Sequence, residues 1–382
     1  PLDQLTGNIL AEDIVARVDA PSSTSSRKDG YAVISSDLAG ATEENPVELK
    51  VVGNLAAGDV TNLRIDHAQA ARVTTGAPLP EGADAVLSEE FCQPSTDAIV
   101  ARHIAEEGRN ILERASDIRR GEKVAAKGEI LSPALIGLIA SAGLDSASVH
   151  KVPKVAVIAS GDEVVAPGKP LAEGKLYASN MIEICSWLTL YGLPHSAVLA
   201  GDSRQEIQYA IITQLAEADA FITSGGAWGS ERDLILDVLA KMDWQGIYHR
   251  VRMGPGKPVG FGLLEQKPFF ILPGGPPSNE MAFLQLALPA IMKMKGQGDF
   301  SFPVVRAQLA ESVRGHKDWT QFIHARLEKD KHQLIVKPAK LKSRLASMAR
   351  KDALIIIPEG WEEWIAGEII EIQLLNADFN YR

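Results

Sequence analysis

The sequence of 382 residues is poor in cysteine and contains no long apolar run. Its two cysteines, Cys92 and Cys185, lie far apart in the sequence, which fits a reducing compartment without a disulfide framework, with the cytoplasm as the default. Buried packing is the expected role of both thiols, although either could be reactive. No apolar stretch reaches the roughly 18–20 residues that span a bilayer, and we expect no signal peptide.

Basic charge and metal-ligand patterns are also lacking. The 39 Lys and Arg residues are outnumbered by 49 Asp and Glu residues, and the net charge of −10 argues against a nucleic-acid-binding protein. The eight histidines show no metal-ligand spacing, and no P-loop, Ser-His-Asp arrangement or Cys-x-x-Cys pair occurs. A small anionic ligand remains compatible with this charge, because loops, helix N-termini and a bound cation reverse the field locally.

The sequence does contain several glycine-rich turns. Three of them lie between residues 224 and 277: Ser224-Gly225-Gly226, Gly254-Pro255-Gly256-Lys257-Pro258 and Pro273-Gly274-Gly275-Pro276-Pro277. The first and third follow apolar runs that indicate short buried strands. Because glycine has no Cβ, backbone N–H groups there can approach a ligand closely. At the ends of neighbouring parallel strands the three turns would line one crevice, and with Lys257 and Asp233 they favour a phosphate-bearing ligand. Each of them taken alone could equally be an ordinary turn.

The first part of the chain is predicted to be mainly β-structure after an initial helix. Apolar Leu10, Ile14 and Val15 before Pro21 predict a short helix within the first twenty residues. Short β-type runs separated by turns follow, to about residue 104. The predicted strands of this part are 47–52, 71–75, 85–88 and 98–101.

Strands and helices alternate in the middle of the chain. A helix is predicted at 131–143, with Ser132 as its cap. Further helices are predicted at 179–192, 204–216 and 231–241, and strands at 155–160, 196–200, 219–223 and 247–251. This alternation is typical of a doubly wound α/β domain with a parallel sheet. After a linker at 296–302, strands are predicted at 304–310, 320–328, 333–337, 353–357 and 369–374.

Motifs throughout the chain match one known family in order. They are Asp29-Gly30-Tyr31-Ala32, the block from Arg72 to Val86, Gly108-Arg109-Asn110-Ile111, Ser160-Gly161-Asp162-Glu163, Ser224-Gly225-Gly226 with Asp233, Pro255-Gly256-Lys257-Pro258, Leu272-Pro273-Gly274 with Pro276, Ile357-Pro358-Glu359-Gly360 and Ala366-Gly367-Glu368. The chain resembles, over nearly its whole length, the MoeA / gephyrin E-domain family of molybdopterin molybdenumtransferases.

The resemblance implies a multidomain α/β and β fold, usually assembled as a homodimer. The implied parts are a split α/β linker and dimer domain of residues 1–22 plus 105–150, an inserted β domain at 23–104, a doubly wound, MogA-like α/β molybdopterin-binding domain at 151–296 and a C-terminal β-barrel-like domain at 297–382. The family's N-terminal helix is mostly absent from this sequence, which bears on how completely the split domain and the dimer form.

The resemblance also implies an activity in molybdenum cofactor biosynthesis. Family members insert molybdate into adenylylated molybdopterin and release AMP, assisted by a divalent cation. Adenylylated molybdopterin and molybdate are then the substrates, and Mg²⁺ is the expected cofactor, since it needs only one or two carboxylates. Transient contact with other molybdenum-cofactor proteins is implied as well, whereas neither nucleic acid nor a membrane is an expected partner.

Site residues follow from the resemblance by position. The expected catalytic residues are Asp233, Glu163, Asp29, Lys257 and Asp117, with Asp29 and Asp117 facing the site across the dimer. The expected ligand-binding residues are Thr75, Ser224, Gly225, Gly226, Gly256, Pro273, Gly274 and Pro276, and the expected metal ligands are Asp233, Glu163 and Asp202, followed by Asp162. Backbone N–H groups of Gly225, Gly226 and Gly274 would donate to ligand oxygens. Structural alternatives are a solvated Lys257, helix capping by Asp233, a turn role for Asp29 and strand packing by Thr75.

Several positions depart from the family pattern. Ala227-Trp228-Gly229-Ser230 stands where a Val-Ser-Val-Gly type of stretch is normal, Gly254 where a lysine is common, and Gly275 where an asparagine is usual. The last two changes remove a charge and an amide from the expected oxyanion site. They motivate an alternative function, that of a catalytically impaired molybdopterin-binding or scaffold relative of the same family.

Overall fold

The computed structural model describes residues 1–225, 234–330, 333–339 and 343–375. The chain forms two compact units, Pro1–Val149 and His150–Arg382. The four predicted domains are a finer division than these two units and stay a prediction.

The first unit is mainly β-structure, as predicted. Its strands are β1 (Ile14–Val15), β2 (Ser25–Ser26), β3 (Gly30–Val33), β4 (Val47–Leu55), β5 (Gln69–Val73), β6 (Ala85–Ser88), β7 (Cys92–Pro94), β8 (Ala98–Ala101), β9 (Ile111–Leu112) and β10 (Lys123–Ala125). Its α-helix is α1 (Pro133–Ser141), and its 3₁₀ turns are Leu2–Gln4, Ser35–Leu38 and Glu89–Phe91. Six strands form one sheet in the order β6-β3-β5-β4-β8-β7, and smaller pairs join β1 to β10 and β2 to β9.

Helix α1 begins and ends where the sequence predicts. The Ser132 hydroxyl accepts a hydrogen bond from the backbone N–H of Leu135, and Pro133 occupies the first turn, where no N–H is needed. Gly143 follows the helix with a φ of +86°, a conformation that favours glycine.

The helix predicted in the first twenty residues is wrong. A 3₁₀ turn, Leu2–Gln4, is present there, and Ile14–Val15 form the strand β1 instead. Ile14 pairs with Ala125, while Leu10 is tied through its backbone N–H to the carbonyl of Glu129. Pairing with a distant segment therefore outweighs the local helical spacing of the apolar residues, because both side chains are buried by it.

The second unit begins with the α/β structure predicted from the alternation. Its strands are β11 (Val155–Ser160), β12 (Val164–Val165), β13 (Leu176–Tyr177), β14 (His195–Ala200), β15 (Ala220–Ser224), β16 (Gln245–His249), β17 (Met253–Gly254), β18 (Gly260–Leu264) and β19 (Lys267–Leu272). Its helices are α2 (Ser179–Leu190), α3 (Arg204–Leu215), α4 (Leu234–Ala240), α5 (Pro276–Ala282) and α6 (Leu288–Met294), with a π-helical turn, Phe283–Ala287, between the last two.

Helices cover both faces of a six-stranded sheet with the order β14-β11-β15-β19-β18-β16. Alternate residues of β11 point to opposite faces: Val157 packs in the core with α2, α5 and α6, and Ile158 packs in the core with α3 and α4. The strands β14, β11, β15 and β19 are mutually parallel. This arrangement confirms the doubly wound α/β fold, apart from one antiparallel strand.

That antiparallel strand, β18, has no counterpart in the sequence prediction. Gly260 and Gly262 weaken the strand pattern, although a Cβ at Gly262 would lie 2.4 Å from the carbonyl oxygen of Gln245. The turn to β19 is made by Glu265 and Gln266, both with positive φ. Such turns usually carry asparagine or glycine, so the sequence gives little sign of this hairpin.

The last part of the chain closes into a barrel. Its strands are β20 (Val304–Leu309), β21 (Val313–Arg314), β22 (Thr320–Asp330), β23 (Gln333–Pro338), β24 (Ala353–Ile357), β25 (Glu363–Trp364) and β26 (Ile369–Leu374), and its helix is α7 (Arg344–Ala349). Pairing runs β22-β23-β20-β26-β24 and returns from β24 to β22, which makes a closed five-stranded barrel and confirms the predicted β-barrel-like end. Inward apolar side chains such as Leu309 and Ile355 fill it.

Across the described residues, no helix is both long enough and apolar enough to cross a membrane.

Candidate functional site

The carboxyl ends of three neighbouring strands meet at one edge of the α/β sheet. Strand β11 ends at Ser160, β15 at Ser224 and β19 at Leu272, with β15 in the middle. Ser224 is paired with Leu272 on one side and with Ala159 on the other. Because ligands of open α/β sheets bind beyond the carboxyl ends of the strands, this edge is the candidate site.

A cavity of about 500 Å³ opens at this edge, within the size range of small-molecule sites. We call its polar lining Ser160, Asn180, Ser224, Gly225 and Gly274, and its apolar lining Leu171, Leu176, Tyr177 and Leu345. The apolar side chains are between 41% and 63% exposed, so they are free to cover a ligand. The combination suits a flat ring that carries a polar or charged group.

Two asparagines hold the turns after β15 and β19 together. The Asn279 carboxamide donates to the Ser224 hydroxyl at 3.1 Å and to the Pro273 carbonyl at 2.8 Å. The Asn180 carboxamide donates to the same hydroxyl at 3.3 Å and to the Gly274 carbonyl at 2.8 Å. Neither asparagine belongs to a sequence motif, and both were missed by sequence reasoning.

Gly225 fits its predicted position but not its predicted role as a donor. Its φ is +107°, and a Cβ there would approach the Ser160 carbonyl oxygen at 3.3 Å, so glycine is required by both conformation and space. Its backbone N–H already donates to the Leu272 carbonyl. This N–H therefore ties the two turns together and is not available to a phosphate oxygen. Gly274 lies next to Gly225, and a Cβ added at Gly274 would be 3.9 Å from the Gly225 Cα.

Glu163 is the predicted acidic residue that lines the cavity. Its carboxylate lies against Gly161, whose φ of +141° and lack of a Cβ leave room for it. Asp162 instead accepts a hydrogen bond from the backbone N–H of Asp202, and the Asp202 side chain is exposed outside the cavity lining. The structure therefore brings Glu163 to the crevice and leaves Asp202 at its periphery.

The second glycine-rich turn lines a different cavity, of about 470 Å³. Gly256 and Lys257 share it with Trp319, and the Lys257 ammonium lies 5.0 Å from the centre of the indole ring. The cause is the strand that leads into this turn, Met253–Gly254, because it pairs with Thr320–Gln321 of the barrel and not with the α/β sheet. The prediction that all three turns line one crevice is thus met by the first and third only.

Pro273 and Pro276 flank Gly274 at the crevice. Pro273 is buried and accepts the Asn279 bond, and Pro276 lines the cavity as the first residue of α5. Gly226 and Asp233 lie outside the described residues, as do Ala227-Trp228-Gly229-Ser230. Their predicted roles remain predictions.

Three predicted site residues belong to the first unit. The exposed Asp29 accepts two hydrogen bonds from Thr75, from its backbone N–H at 2.6 Å and from its hydroxyl at 3.0 Å. These bonds lower the pKa of the Asp29 carboxyl. Asp117 is exposed, and its backbone N–H donates to the carbonyl of Ala20. Thr75 is therefore occupied with positioning Asp29, and the predicted catalytic roles of both aspartates stay predictions.

A buried cluster of ionisable groups was not predicted from the sequence. Glu280 of α5 contacts Lys351 with one carboxylate oxygen and His324 of β22 with the other, at 3.0 Å from its Nε2. Burial raises the pKa of Glu280, but the hydrogen bond from His324 and the charge of Lys351 together outweigh burial, so the pKa is lowered overall. Burial first, and then the Glu280 carboxylate, raise the pKa of Glu183 on α2 to about 8. Near neutral pH we therefore expect Glu183 to be mainly protonated and to donate a hydrogen bond to the Glu280 carboxylate.

Both cysteines are free and half-buried. Burial raises the pKa of Cys92 to about 12 and also raises that of Cys185. Each thiol is therefore held in its unreactive, protonated form, in agreement with the packing role expected for both.

Comparison with known proteins gives the same assignment along the whole chain. Residues 1–143 match the family "MoeA N-terminal region (domain I and II)", residues 156–293 match "Probable molybdopterin binding domain", and residues 306–375 match "MoeA C-terminal region (domain IV)". Most of the candidate crevice, from Ser160 to Pro276, lies within the second of these, and Leu345 of its apolar lining lies within the third.

Relatives and a solved structure extend over nearly the full length. Molybdopterin molybdenumtransferase 2 of Mycobacterium tuberculosis is 32% identical over 97% of this chain and 93% of its own length. Molybdopterin molybdenumtransferase of Staphylococcus epidermidis is 30% identical over 99% and 91%. The crystal structure of a molybdopterin biosynthesis MoeA protein from Pyrococcus horikosii superposes with a TM-score of 0.85 at 31% identity, covering 99% of this chain and 94% of that one.

Full-length identity of this degree, the shared fold and the crevice in the matched binding domain lead to one assignment: the chain belongs to the MoeA family of molybdopterin molybdenumtransferases, transferases of molybdenum cofactor biosynthesis.

Proposed function

We propose that this protein inserts molybdate into adenylylated molybdopterin and releases AMP, with assistance from Mg²⁺. The observation that carries the proposal is the crevice at the ends of β11, β15 and β19. Its polar lining holds the Ser160 and Ser224 hydroxyls for an oxyanion, and its apolar lining offers Tyr177 and three leucines to a heteroaromatic ring. Adenylylated molybdopterin has both kinds of group, since it joins two heteroaromatic systems through phosphates.

The described donor set suits a magnesium ion that arrives with the substrate phosphates. No group of three or more His, Cys, Asp or Glu side chains that could hold a metal occurs among the described residues. Magnesium nevertheless needs only one or two carboxylates when phosphates and waters complete its shell. Glu163 is the described carboxylate that lines the crevice and would hold it there. When bound, the ion would offset charge on the phosphates.

AMP release is the direct test. Purified full-length protein is incubated with adenylylated molybdopterin and Mg²⁺, with and without molybdate, and AMP is measured. We expect release over several turnovers that depends on molybdate and stops with EDTA. Tight molybdopterin binding without AMP release would instead support the binding or scaffold function, and release without molybdate would contradict the insertion reaction.

Carboxylate variants identify the residues involved. Glu163→Gln removes the charge at the crevice and is expected to raise the Mg²⁺ concentration needed for half-maximal AMP release. Glu173→Gln removes an exposed charge from the same stretch of chain, outside the cavity lining, and serves as the matched control. Asp233→Ala tests the role that the family resemblance implies for that residue and is expected to abolish molybdate-dependent release. Equal Mg²⁺ dependence of both glutamine variants would refute the role of Glu163.

We also propose a cytoplasmic homodimer that contacts other molybdenum-cofactor proteins transiently. The family resemblance supports the dimer, and the two free cysteines support a reducing compartment. Sedimentation equilibrium of the full chain measures the oligomeric state, and a monomer at all concentrations would contradict the dimer.

A further inference from the structure

The orientation of two carboxamides at the crevice is fixed by what they bind. Asn279 lies against the Pro273 carbonyl and Asn180 against the Gly274 carbonyl, both at 2.8 Å. A backbone carbonyl only accepts hydrogen bonds, so each asparagine must turn its NH₂ group toward it. The second hydrogen of each NH₂ group is then directed at the Ser224 oxygen, at 3.1 Å and 3.3 Å.

Two accepted bonds use the whole acceptor capacity of the Ser224 hydroxyl. An aliphatic hydroxyl has two lone pairs and one hydrogen. With both lone pairs occupied by Asn180 and Asn279, the oxygen can only donate further. Ser224 is 7% exposed, yet it belongs to the cavity lining, and no acceptor for its hydrogen is found among the described residues.

We propose that Asn180 and Asn279 are positioning residues that occupy both lone pairs of the Ser224 hydroxyl. Ser224 can then act toward the bound substrate only as a hydrogen-bond donor, to an unprotonated oxygen. The inference deepens the proposed function and depends on it. Ser224 then selects a ligand atom that accepts a hydrogen bond, and an oxyanion oxygen is the strongest such acceptor because its hydrogen bond is charge-assisted. Both a phosphoryl oxygen of the adenylylated pterin and an oxygen of molybdate have this chemistry.

The first turn of α2 adds to this preference. Ser179, Asn180 and Met181 line the same cavity, and no side chain caps the helix at Ala178. The first backbone N–H groups of a helix have no partner within the helix, and the helix dipole favours negative charge there. The donating Ser224 hydroxyl and this helix terminus therefore present hydrogen to the same space, which favours an anion.

Binding of paired ligands to variants of the full chain tests the inference. Dissociation constants for AMP, adenosine and molybdate are measured by calorimetry on the wild type and on Ser224→Ala. We expect Ser224→Ala to weaken the ligand whose oxygen it binds by roughly tenfold to a hundredfold, as for a hydrogen bond to a charged group. Adenosine, which lacks the phosphate, should be unaffected. Loss for AMP identifies a phosphoryl oxygen, and loss for molybdate alone identifies the metal oxyanion.

A matched control and a second variant separate positioning from a structural effect. Ser196→Ala removes a hydroxyl from the edge strand β14 of the same sheet, where it donates to Gln214, and should leave all three constants unchanged. Asn180→Asp places an acceptor beside Ser224, so the hydroxyl turns to the carboxylate and is lost to the ligand. In the Asn180→Asp background, Ser224→Ala should therefore cost nothing more.

The outcomes distinguish this inference from the proposed function. If the wild type releases AMP in a molybdate-dependent reaction but Ser224→Ala binds AMP and molybdate normally, the inference is wrong and the function stands. Equal weakening of AMP and adenosine would show a structural role for Ser224 and would also overturn it. If the wild type neither turns over nor binds these ligands, the proposed function fails, and the inference fails with it.

Discussion

Replacing Lys351 by methionine should destabilise this protein far more than the same replacement at an exposed ion pair. Glu280 is fully buried, and Lys351 is 7% exposed, so water cannot replace the lost charge. His324 remains at 3.0 Å from the other carboxylate oxygen, and the protonated Glu183 donates a hydrogen bond to Glu280 but carries no positive charge. Lys351→Met therefore leaves a buried carboxylate without its lysine partner.

The magnitude follows from the burial of the pair. Removing one partner of a buried ion pair costs about 3–5 kcal/mol, because the remaining charge cannot be solvated. For a domain of this size, roughly 2–4 °C of melting temperature is lost per kcal/mol, which predicts a fall of roughly 6–20 °C. The Lys351 ammonium also donates to the Met348 carbonyl at 2.8 Å, so a second partner is lost with it.

Scanning calorimetry of the full chain measures this effect against a matched variant. Lys337→Met breaks an ion pair with Glu328 on the same barrel, where the side chains are 43% and 56% exposed. It should cost about 0–1 kcal/mol, as exposed pairs do. Adding Glu280→Gln to Lys351→Met removes the stranded charge and should recover part of the loss. A Lys351→Met protein that melts like Lys337→Met would refute the reasoning.

Three further predictions concern stability. Glu183→Gln imitates the protonated acid, whose pKa in the folded state is raised to about 8 from 4.5. The stability that this proton gives the wild type is therefore full below pH 4.5 and is lost as pH rises toward 8. In urea unfolding, the stability advantage of Glu183→Gln over the wild type should accordingly grow from pH 5 to pH 8. Gly225→Ala should cost about 1–3 kcal/mol through its positive φ and the nearby Ser160 carbonyl, whereas Gly275→Ala, with open space and an ordinary φ, should melt like the wild type; equal melting of the two contradicts the strain. Ser132→Ala should lose about 0.5–2 kcal/mol with the cap of α1, measured by urea unfolding.

The sequence predicted best those elements whose local pattern and tertiary role agree. The Val/Ile run of β11 and the capped helix α1 were found almost to the residue, because strand propensity and capping chemistry act locally. The helix expected around Ile14 failed for the opposite reason: its apolar spacing is satisfied by pairing with Ala125, far along the chain. Strand β18 was missed because its glycines and its turn at Glu265 carry no hairpin signal.

The candidate site shows the same division between local and distant information. Ser224 and Gly274 were predicted from glycine-rich turns that follow apolar strands, and both line the crevice. Asn180 and Asn279, which connect them, stand on two helices and belong to no motif. The role of the two asparagines depends on the tertiary contact between the turns after two different strands. No spacing in the sequence predicts that contact.

The second glycine-rich turn shows why local chemistry alone does not assemble a site. Its Gly-Pro-Gly-Lys-Pro sequence looks as suited to an anion as the other two turns. It nevertheless lies in its own cavity beside Trp319, because Met253, which precedes the turn, and Gly254, its first residue, pair with β22 of the barrel. Which turns share a cavity is decided by the sheet that the strand leading into each turn joins. For this turn the choice depends on Thr320–Gln321, its pairing partners 67 residues further along the chain. Lys257 therefore acts on the crevice ligand only if that ligand also reaches the second cavity. We expect the adenylylated pterin, the larger of the two proposed substrates, to reach both cavities, and free molybdate to occupy one. Lys257→Met should accordingly weaken binding of the adenylylated pterin and leave molybdate binding unchanged in calorimetry, and a loss of molybdate affinity would show that the two cavities act as one site.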